Sequence, residues 1–302
     1  FKTIPQPKLK SQALEAPELI APSENEVSVV VKRFEFQGNQ KLSSDFLNDK
    51  LSPFLRRPLS FAQLKLASDE IMNAYRQAGW MVRAYLPKQE IEDGIVKISV
   101  IEGVFGGTQI VADEPKRIYG ERLIQMGNAA NPLGEAVRAV QLDRALLLMD
   151  DLPGVMVSGN LVAGDQTGQT NLSIRAVDGP LIEGSWATDN SGSVSTGASR
   201  LMLSLNLNSP TKVGDLLNVN LLKSEGSNYA RLNYALPVGF TGLRTGVHLS
   251  TLNYNLIGNF ASLGAKGSAY TGGVDAIYPL IRSQTYNLNL TGSWDHKWYE
   301  NQ

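Results

Sequence analysis

From Leu201 to Asn208 the sequence reads Leu-Met-Leu-Ser-Leu-Asn-Leu-Asn, with leucine at every second position. A strand turns successive side chains to opposite faces, so this run has one aliphatic face and one face ending in serine and asparagine. The same period returns in Leu217, Val219 and Leu221 against Asn218 and Asn220, and in Ala230, Leu232, Tyr234 and Leu236 against Arg231 and Asn233. It returns again in Leu243, Val247 and Leu249 against Arg244, Gly246, His248 and Ser250, and in Tyr286, Leu288 and Leu290 against Asn287, Asn289 and Thr291, with Trp294 and Trp298 beyond. With 182–190 and 270–278 added, about seven strands of roughly ten residues follow Gly179, a length that also suits a membrane barrel. Alternation alone fits a soluble sheet with one wet face equally well. Strand length, meander order and aromatic residues toward strand ends (Tyr234, Tyr254, Tyr278, Trp294, Trp298) tilt the reading toward a barrel with an interfacial girdle.

The upstream half has a different grammar. A β-rich run with Val29, Val31, Phe34 and Phe36 ends at Gly38-Asn39, and a short helix is expected from Ser44 to Leu51. Ser60 and Gln63 form a capping box that opens a longer helix, whose stripe is Leu64, Ala67, Ile71, Ala74 and Tyr75. Gly79 stops it. Trp80, Val82, Ala84 and Leu86 alternate, Asp93-Gly94 turns, and Val96, Ile98 and Val100 alternate back. The order is β-α-α-β-β. It recurs as a strand at 109–112, helices at 115–126 and 135–149, and strands through Val155, Val157 and Leu161 and through Leu172, Ile174 and Ala176. The expected segments are a proline-containing linker over 1–26, repeats over 27–104 and 105–178, and the strand region over 179–302.

Composition removes several function classes. The 302 residues carry a net charge of −1, so no basic field points to nucleic acid. There is no cysteine, and the two histidines, His248 and His296, lack metal-ligand spacing. Neither a G-x-S-x-G elbow nor a P-loop occurs, and Asp150-Asp151 reads as a helix end. No catalytic, cofactor or metal site is therefore expected. No apolar run reaches the roughly 18–20 residues of a spanning helix. A start at Phe1 without a signal-like segment reads as a mature or trimmed chain.

Taken together, the motifs resemble the transporters of two-partner secretion, the haemolysin-activator type within the Omp85 superfamily. In the first repeat the resemblance rests on Phe34, Gly38-Asn39, Leu42, Leu47, Ser60, Leu64, Ala74-Tyr75, Gly79-Trp80, Leu86-Pro87-Lys88-Gln89, Gly94 and Val100-Ile101-Glu102-Gly103. In the strand region it rests on Asp189-Asn190-Ser191-Gly192, Thr196-Gly197, Gly214-Asp215-Leu216 and Tyr234 through Gly239. The resemblance implies two tandem α+β POTRA domains followed by an antiparallel transmembrane β-barrel, of which this chain holds the first half. Seven strands cannot close such a barrel, which uses an even number.

The resemblance further implies a monomeric outer-membrane pore, set in outer-membrane lipid, with its POTRA domains in the periplasm. It would secrete a large partner protein bearing an N-terminal secretion domain, without ATP. An Omp85-type assembly factor and a soluble periplasmic polypeptide-binding scaffold are the alternatives. For partner capture the resemblance points to the strand from Trp80 to Leu86 as an edge that accepts an added strand. The candidate edge and groove residues are Tyr75, Trp80, Val82, Ala84 and Leu86, each of which would serve equally well as core. Asn206, Asn218, Asn220, Arg231, Asn233, Arg244, Asn287 and Asn289 are the candidates for facing a wet lumen, though an ordinary solvated face would carry the same residues.

Overall fold

The computed structural model describes residues 28–111, 113–166 and 168–301; the expected 1–26 linker lies outside them. Its contacts form two compact units. One gathers the residues up to Gly107 with Asn131–Leu142 and Leu161–Leu172; the other holds Thr108–Ala130, Asp143–Asn160 and everything from Ser173.

In the first unit, β1 (Ser28–Val30) and β2 (Arg33–Gln37) replace the single strand expected there. The chain breaks between them because Lys32 and Arg33 give their N–H groups to Gly94 O, at 2.8 and 3.4 Å. β1 pairs instead with β3 (Pro58–Ser60), a strand the sequence pattern did not reveal. After β2 comes α1 (Ser44–Lys50), capped by Ser43. The capping box forms as expected: Ser60 Oγ accepts from Gln63 N, Gln63 Oε1 accepts from Ser60 N, and α2 runs Phe61–Gln77. Its end is a Schellman turn, with Trp80 N donating to Tyr75 O (2.9 Å), Gly79 N to Arg76 O (3.0 Å), and Gly79 at φ +85°. β4 (Val82–Tyr85) and β5 (Ile95–Glu102) then complete a sheet in the order β2-β5-β4, parallel on one side of β5 and antiparallel on the other. Phe34, Val96, Ile98 and Val100 from the sheet meet Leu64, Ala67, Ile71 and Tyr75 from α2 in a closed core. Burying each large side chain there contributes roughly 1.5–3 kcal/mol.

The second repeat carries β6 (Val104–Ile110), α3 (Gly120–Ala130), α4 (Ala139–Asp150), β7 (Val155–Ala163) and β8 (Gln169–Asp178), with sheet order β6-β8-β7. Both helices start later than their patterns predict. The segment 115–119 is held from its end: Asp178 accepts from Lys116 N and Arg117 N, which keeps the chain out of helical geometry there. Residues 135–138 are extended because Val137 N donates to Gly103 O (2.8 Å) while Val137 O accepts from Met81 N (3.2 Å).

Beyond Gly179 seven strands form one antiparallel meander, β9 (Ile182–Asp189), β10 (Arg200–Asn208), β11 (Leu216–Lys223), β12 (Ser227–Val238), β13 (Leu243–Asn255), β14 (Lys266–Arg282) and β15 (Asn287–Asn301). The number matches the reading from periodicity, and β13 to β15 are longer than expected. Trp294 and Trp298 lie within β15, not past its end.

Candidate functional site

The antiparallel register of β4 on β5 fixes what that edge offers. Val82 sits opposite Glu102 and Ala84 opposite Val100, and one rung further Gly103 N donates to Met81 O at 2.9 Å. Rungs that exchange hydrogen bonds alternate, so Arg83–Ile101 and Tyr85–Ser99 are bonded pairs, and Val82 and Ala84 turn their N–H and C=O outward. β4 ends the sheet on this side. Where β4 stops, Gln89 takes over: its side-chain amide donates to Lys97 O (2.8 Å) and accepts from Lys97 N (2.7 Å). One amide thus fills the next rung of β5 in place of backbone.

The candidate side chains divide. Ala84 is 6 % exposed and Tyr75 wholly buried, so both belong to the core and only the Ala84 backbone reaches the edge. Val82 and Leu86 are half-buried against that core. Trp80 is likewise half-buried against that core. Two cations lie over its ring, Lys41 Nζ 5.3 Å from the centroid and Arg138 Cζ 5.0 Å away, and its backbone bridges Arg138. Cations over an indole face are attracted by its quadrupole, so Trp80 fastens the first repeat to the 136–138 segment.

Sequence reasoning missed the role of Glu102. Its Oε1 accepts from Gln40 N (2.7 Å), Lys41 N (2.7 Å) and Tyr75 Oη (2.9 Å). This carboxylate holds the Gly38-Asn39 turn against α2, and Gly38 is required where a Cβ would lie 2.2 Å from Val100 O. Burial, reinforced by the Glu102 carboxylate, pushes the Tyr75 hydroxyl well above the usual tyrosine range. The signal for this contact was present in the joint occurrence of Gly38, Tyr75 and Glu102, but the 62 residues between Gln40 and Glu102 hid it.

The seven-stranded sheet separates its faces by ladder rows. On one face Asn206 pairs with Asn218, Asn218 with Asn233, and Asn233 with His248. The adjacent row joins Ser204, Asn220, Arg231 and Ser250. Asn218 Nδ2 donates to Asn206 Oδ1 (2.6 Å), and Asn220 donates to Asn218. Asn289 follows the parity of this face and is exposed. Tyr254 also turns to this face, where its hydroxyl reaches Asn301 (3.3 Å), so it leaves the expected girdle. His248, placed on the polar face by its alternation but not among the lumen candidates, is 5 % exposed, with its ring nitrogens 3.4 Å from Asp275 Oδ1 and 2.8 Å from Asp295 Oδ1. Gly273 makes room for it, since a Cβ there would lie 2.2 Å from Asp295 Oδ1 and 2.6 Å from His248 Nε2.

Two lumen candidates are engaged elsewhere. Arg244 donates to Asp151 O (3.2 Å) and Gly214 O (3.5 Å), and Asn287 accepts from Arg282 (3.2 Å). Arg244 belongs to a set of arginine forks at one end of the strands. Arg122 of α3 donates to Pro237 O and Gly239 O, Arg144 of α4 to Thr241 O and Pro279 O, and Arg282 grips the Asp151 carboxylate with two bonds of 2.7 Å. Bidentate guanidinium contacts fix geometry as well as adding energy. The helices α3 and α4 are thereby tied to the strand turns on that side. Asp215, wholly buried in one of those turns, accepts from Thr211 N and the Tyr234 hydroxyl, which explains the Gly214-Asp215-Leu216 motif.

The opposite face of the sheet is mostly aliphatic and aromatic as far as the row of Lys223, Asn228 and Asn253, and it is bare: Leu249 is 64 % exposed, Val247 55 % and Trp294 64 %. Exposed apolar area of that extent marks contact with lipid or protein.

The sequence model of the family described as "POTRA domain, ShlB-type" matches residues 29–103, and that of "Haemolysin secretion/activation protein ShlB/FhaC/HecB" matches 168–302. The heme/hemopexin transporter protein HuxB of Haemophilus influenzae is 30 % identical over 264 residues, covering 86 % of this chain and 46 % of HuxB. The outer membrane transporter CdiB of Escherichia coli is 24 % identical over 219 residues, 70 % of this chain and 36 % of that protein. This chain therefore spans about half or less of the length of these relatives. Among solved structures, CdiB from Escherichia coli superposes with a TM-score of 0.70 at 21 % identity, covering 95 % of this chain and 54 % of that one. BamA from Haemophilus ducreyi lacking POTRA domains 1–3 gives 0.52 at 16 % identity, covering 90 % and 51 %. These likenesses fit the fold of an α+β POTRA region followed by part of an antiparallel barrel.

Proposed function

Because the chain belongs to the two-partner secretion transporters of the Omp85 superfamily, we propose that it forms the periplasmic arm and the first strands of an outer-membrane pore that secretes a large partner protein. The observation that carries this reading is the two-faced sheet: asparagine, arginine and histidine on one side, bare leucine, valine and tryptophan on the other. A soluble scaffold would leave that apolar face in water at a cost of about 25 cal/mol per Å². Against lipid it costs nothing, and the polar face then lines a wet passage.

Within this reading β4 captures the partner. An extended segment laid beside Val82–Tyr85 meets the outward N–H and C=O of Val82 and Ala84 and gains hydrogen bonds without reading sequence. Transport draws no energy from a nucleotide, since the bonds made at the edge are exchanged for bonds within the emerging partner. The relatives' roles, a heme/hemopexin transporter and CdiB, support assigning a secreted partner to this chain as well.

The test is secretion of the neighbouring-gene exoprotein by the full-length transporter. Ala84→Pro removes an outward donor and no ladder bond, so capture of the partner's secretion domain falls while the barrel still inserts. Unchanged capture by that variant refutes the β4 assignment. A chain that stays monodisperse without detergent over 179–302 refutes the membrane reading.

A further inference from the structure

On the bare face, two cavities meet at the strand ends away from the arginine forks. The lower one, about 370 Å³, is walled by Leu201, Leu203 and Leu221 and floored by Ala230 and Thr251. The upper one, about 330 Å³, is lined by Asn253, Asn255, Lys266 and Ser268. Asn228 and Asn253 belong to both, so the two are one furrow. Cross-strand partners place all these side chains on the apolar side: Leu203 with Leu221, Leu221 with Ala230, Ala230 with Thr251, Asn228 with Asn253, Asn253 with Ser268, and Asn255 with Lys266. Ala230 and Thr251 are small where their row otherwise carries Leu203, Leu221 and Tyr270, and that step opens the channel. Lys223, opposite both Leu201 and Asn228, stands at the junction of the two halves.

We propose that this furrow is a binding site for a phosphorylated, acylated saccharide of the outer leaflet. The occupant must be apolar below, where three leucines wall a floor of Ala230 and Thr251, and hydroxyl-rich above, where three asparagine amides and a serine can donate and accept. It must also carry negative charge, since Lys223 and Lys266 face one carboxylate, Glu300. An acyl chain, a sugar and a phosphate, stacked in that order, satisfy the furrow along its length. The inference rests on the proposed pore reading, which sets the fork side in the periplasm and the furrow in the outer leaflet.

The experiment uses the full-length transporter in nanodiscs, with native mass spectrometry scoring retained lipid A against dioleoyl phosphatidylglycerol. The wild type is expected to retain lipid A about tenfold more readily, because lipid A brings a second phosphate for the second lysine and a disaccharide for the amides, where phosphatidylglycerol brings one phosphate. Lys223→Gln with Lys266→Gln should abolish that preference, and Ala230→Phe should block the acyl half and lower lipid A retention without altering either lysine. Equal retention of the two lipids by the wild type, or undiminished preference in both variants, overturns the site. Lys223→Cys labelled in whole cells by an impermeant maleimide separates the two levels. Labelling from outside with no lipid A preference refutes the furrow alone, and labelling only after the outer membrane is opened refutes the orientation and the furrow together.

Discussion

β5 of the first repeat and β13 of the long sheet are written in the same alphabet. Val96, Ile98 and Val100 alternate with polar neighbours as Val247 and Leu249 do, yet the first three are at most 4 % exposed and the other two more than half exposed. The repeat closes its apolar face with α2; the long sheet leaves its own uncovered and tucks asparagine, arginine and histidine behind it. Identical periodicity therefore encodes opposite insides, and the solvent on each side decides which. A helix supplies the missing layer in one case and, under the proposed pore, lipid supplies it in the other.

The sharpest way to break that comparison is truncation on both sides. Ile98→Ala leaves a cavity between sheet and helix and should cost about 2–5 kcal/mol, read as faster hydrogen exchange at the β5 amides. Leu249→Ala opens no cavity and should leave exchange in β13 almost unchanged. A comparable loss at both positions would mean that the long sheet also has a packed protein layer. Charge gives the next largest effect. Leu249→Arg should destabilise barrel assembly by about 2–4 kcal/mol if it lies near the bilayer midplane, measured by folding into lipid vesicles, whereas Asn233→Arg on the other face should fold normally. The smallest effect is a matter of pH. Tyr75 is held neutral by burial and by Glu102, so its folded-state pKa lies above the unfolded value of about 10. Above that pH the unfolded chain has released the proton while the folded repeat keeps it, so stability present below about pH 10 is lost as pH rises. Tyr75→Phe should remove this alkaline decline while costing about 1.5 kcal/mol at neutral pH, the low end for a hydrogen bond to a charged group. An unchanged alkaline limb would assign the decline to another residue.

Legibility in the sequence followed distance along the chain. The capping box Ser60–Gln63, the Gly79 stop and the alternation of the seven strands are local patterns, and the residues alone were enough to locate them. What escaped depends on partners far away in sequence. β3 pairs across 30 residues with β1, residues 135–138 are drawn out of a helix by Gly103 and Met81, and Arg244 is diverted from the polar face by Asp151 O. Trp80 is the clearest case. An aromatic residue at the start of an edge strand reads as a recognition residue, and nothing nearby announces that Arg138 will stack on it. His248 was dismissed for lacking metal-ligand spacing, although its neighbours Gly246 and Gly273 marked a place where side chains lie flat on the sheet.

The Gln89 amide has a kinetic consequence. By filling the rung at Lys97 it leaves β4 just four residues of edge, with the outward groups of Val82 and Ala84 alone on offer. Four hydrogen bonds at roughly 0.5–1.5 kcal/mol each amount to roughly 2–6 kcal/mol, a dissociation constant no tighter than tens of micromolar. An edge that short cannot seed stacking of one transporter on another. Under the proposed role it holds any one stretch of a passing chain only briefly, so the arm acts as a turnstile and not as an anchor.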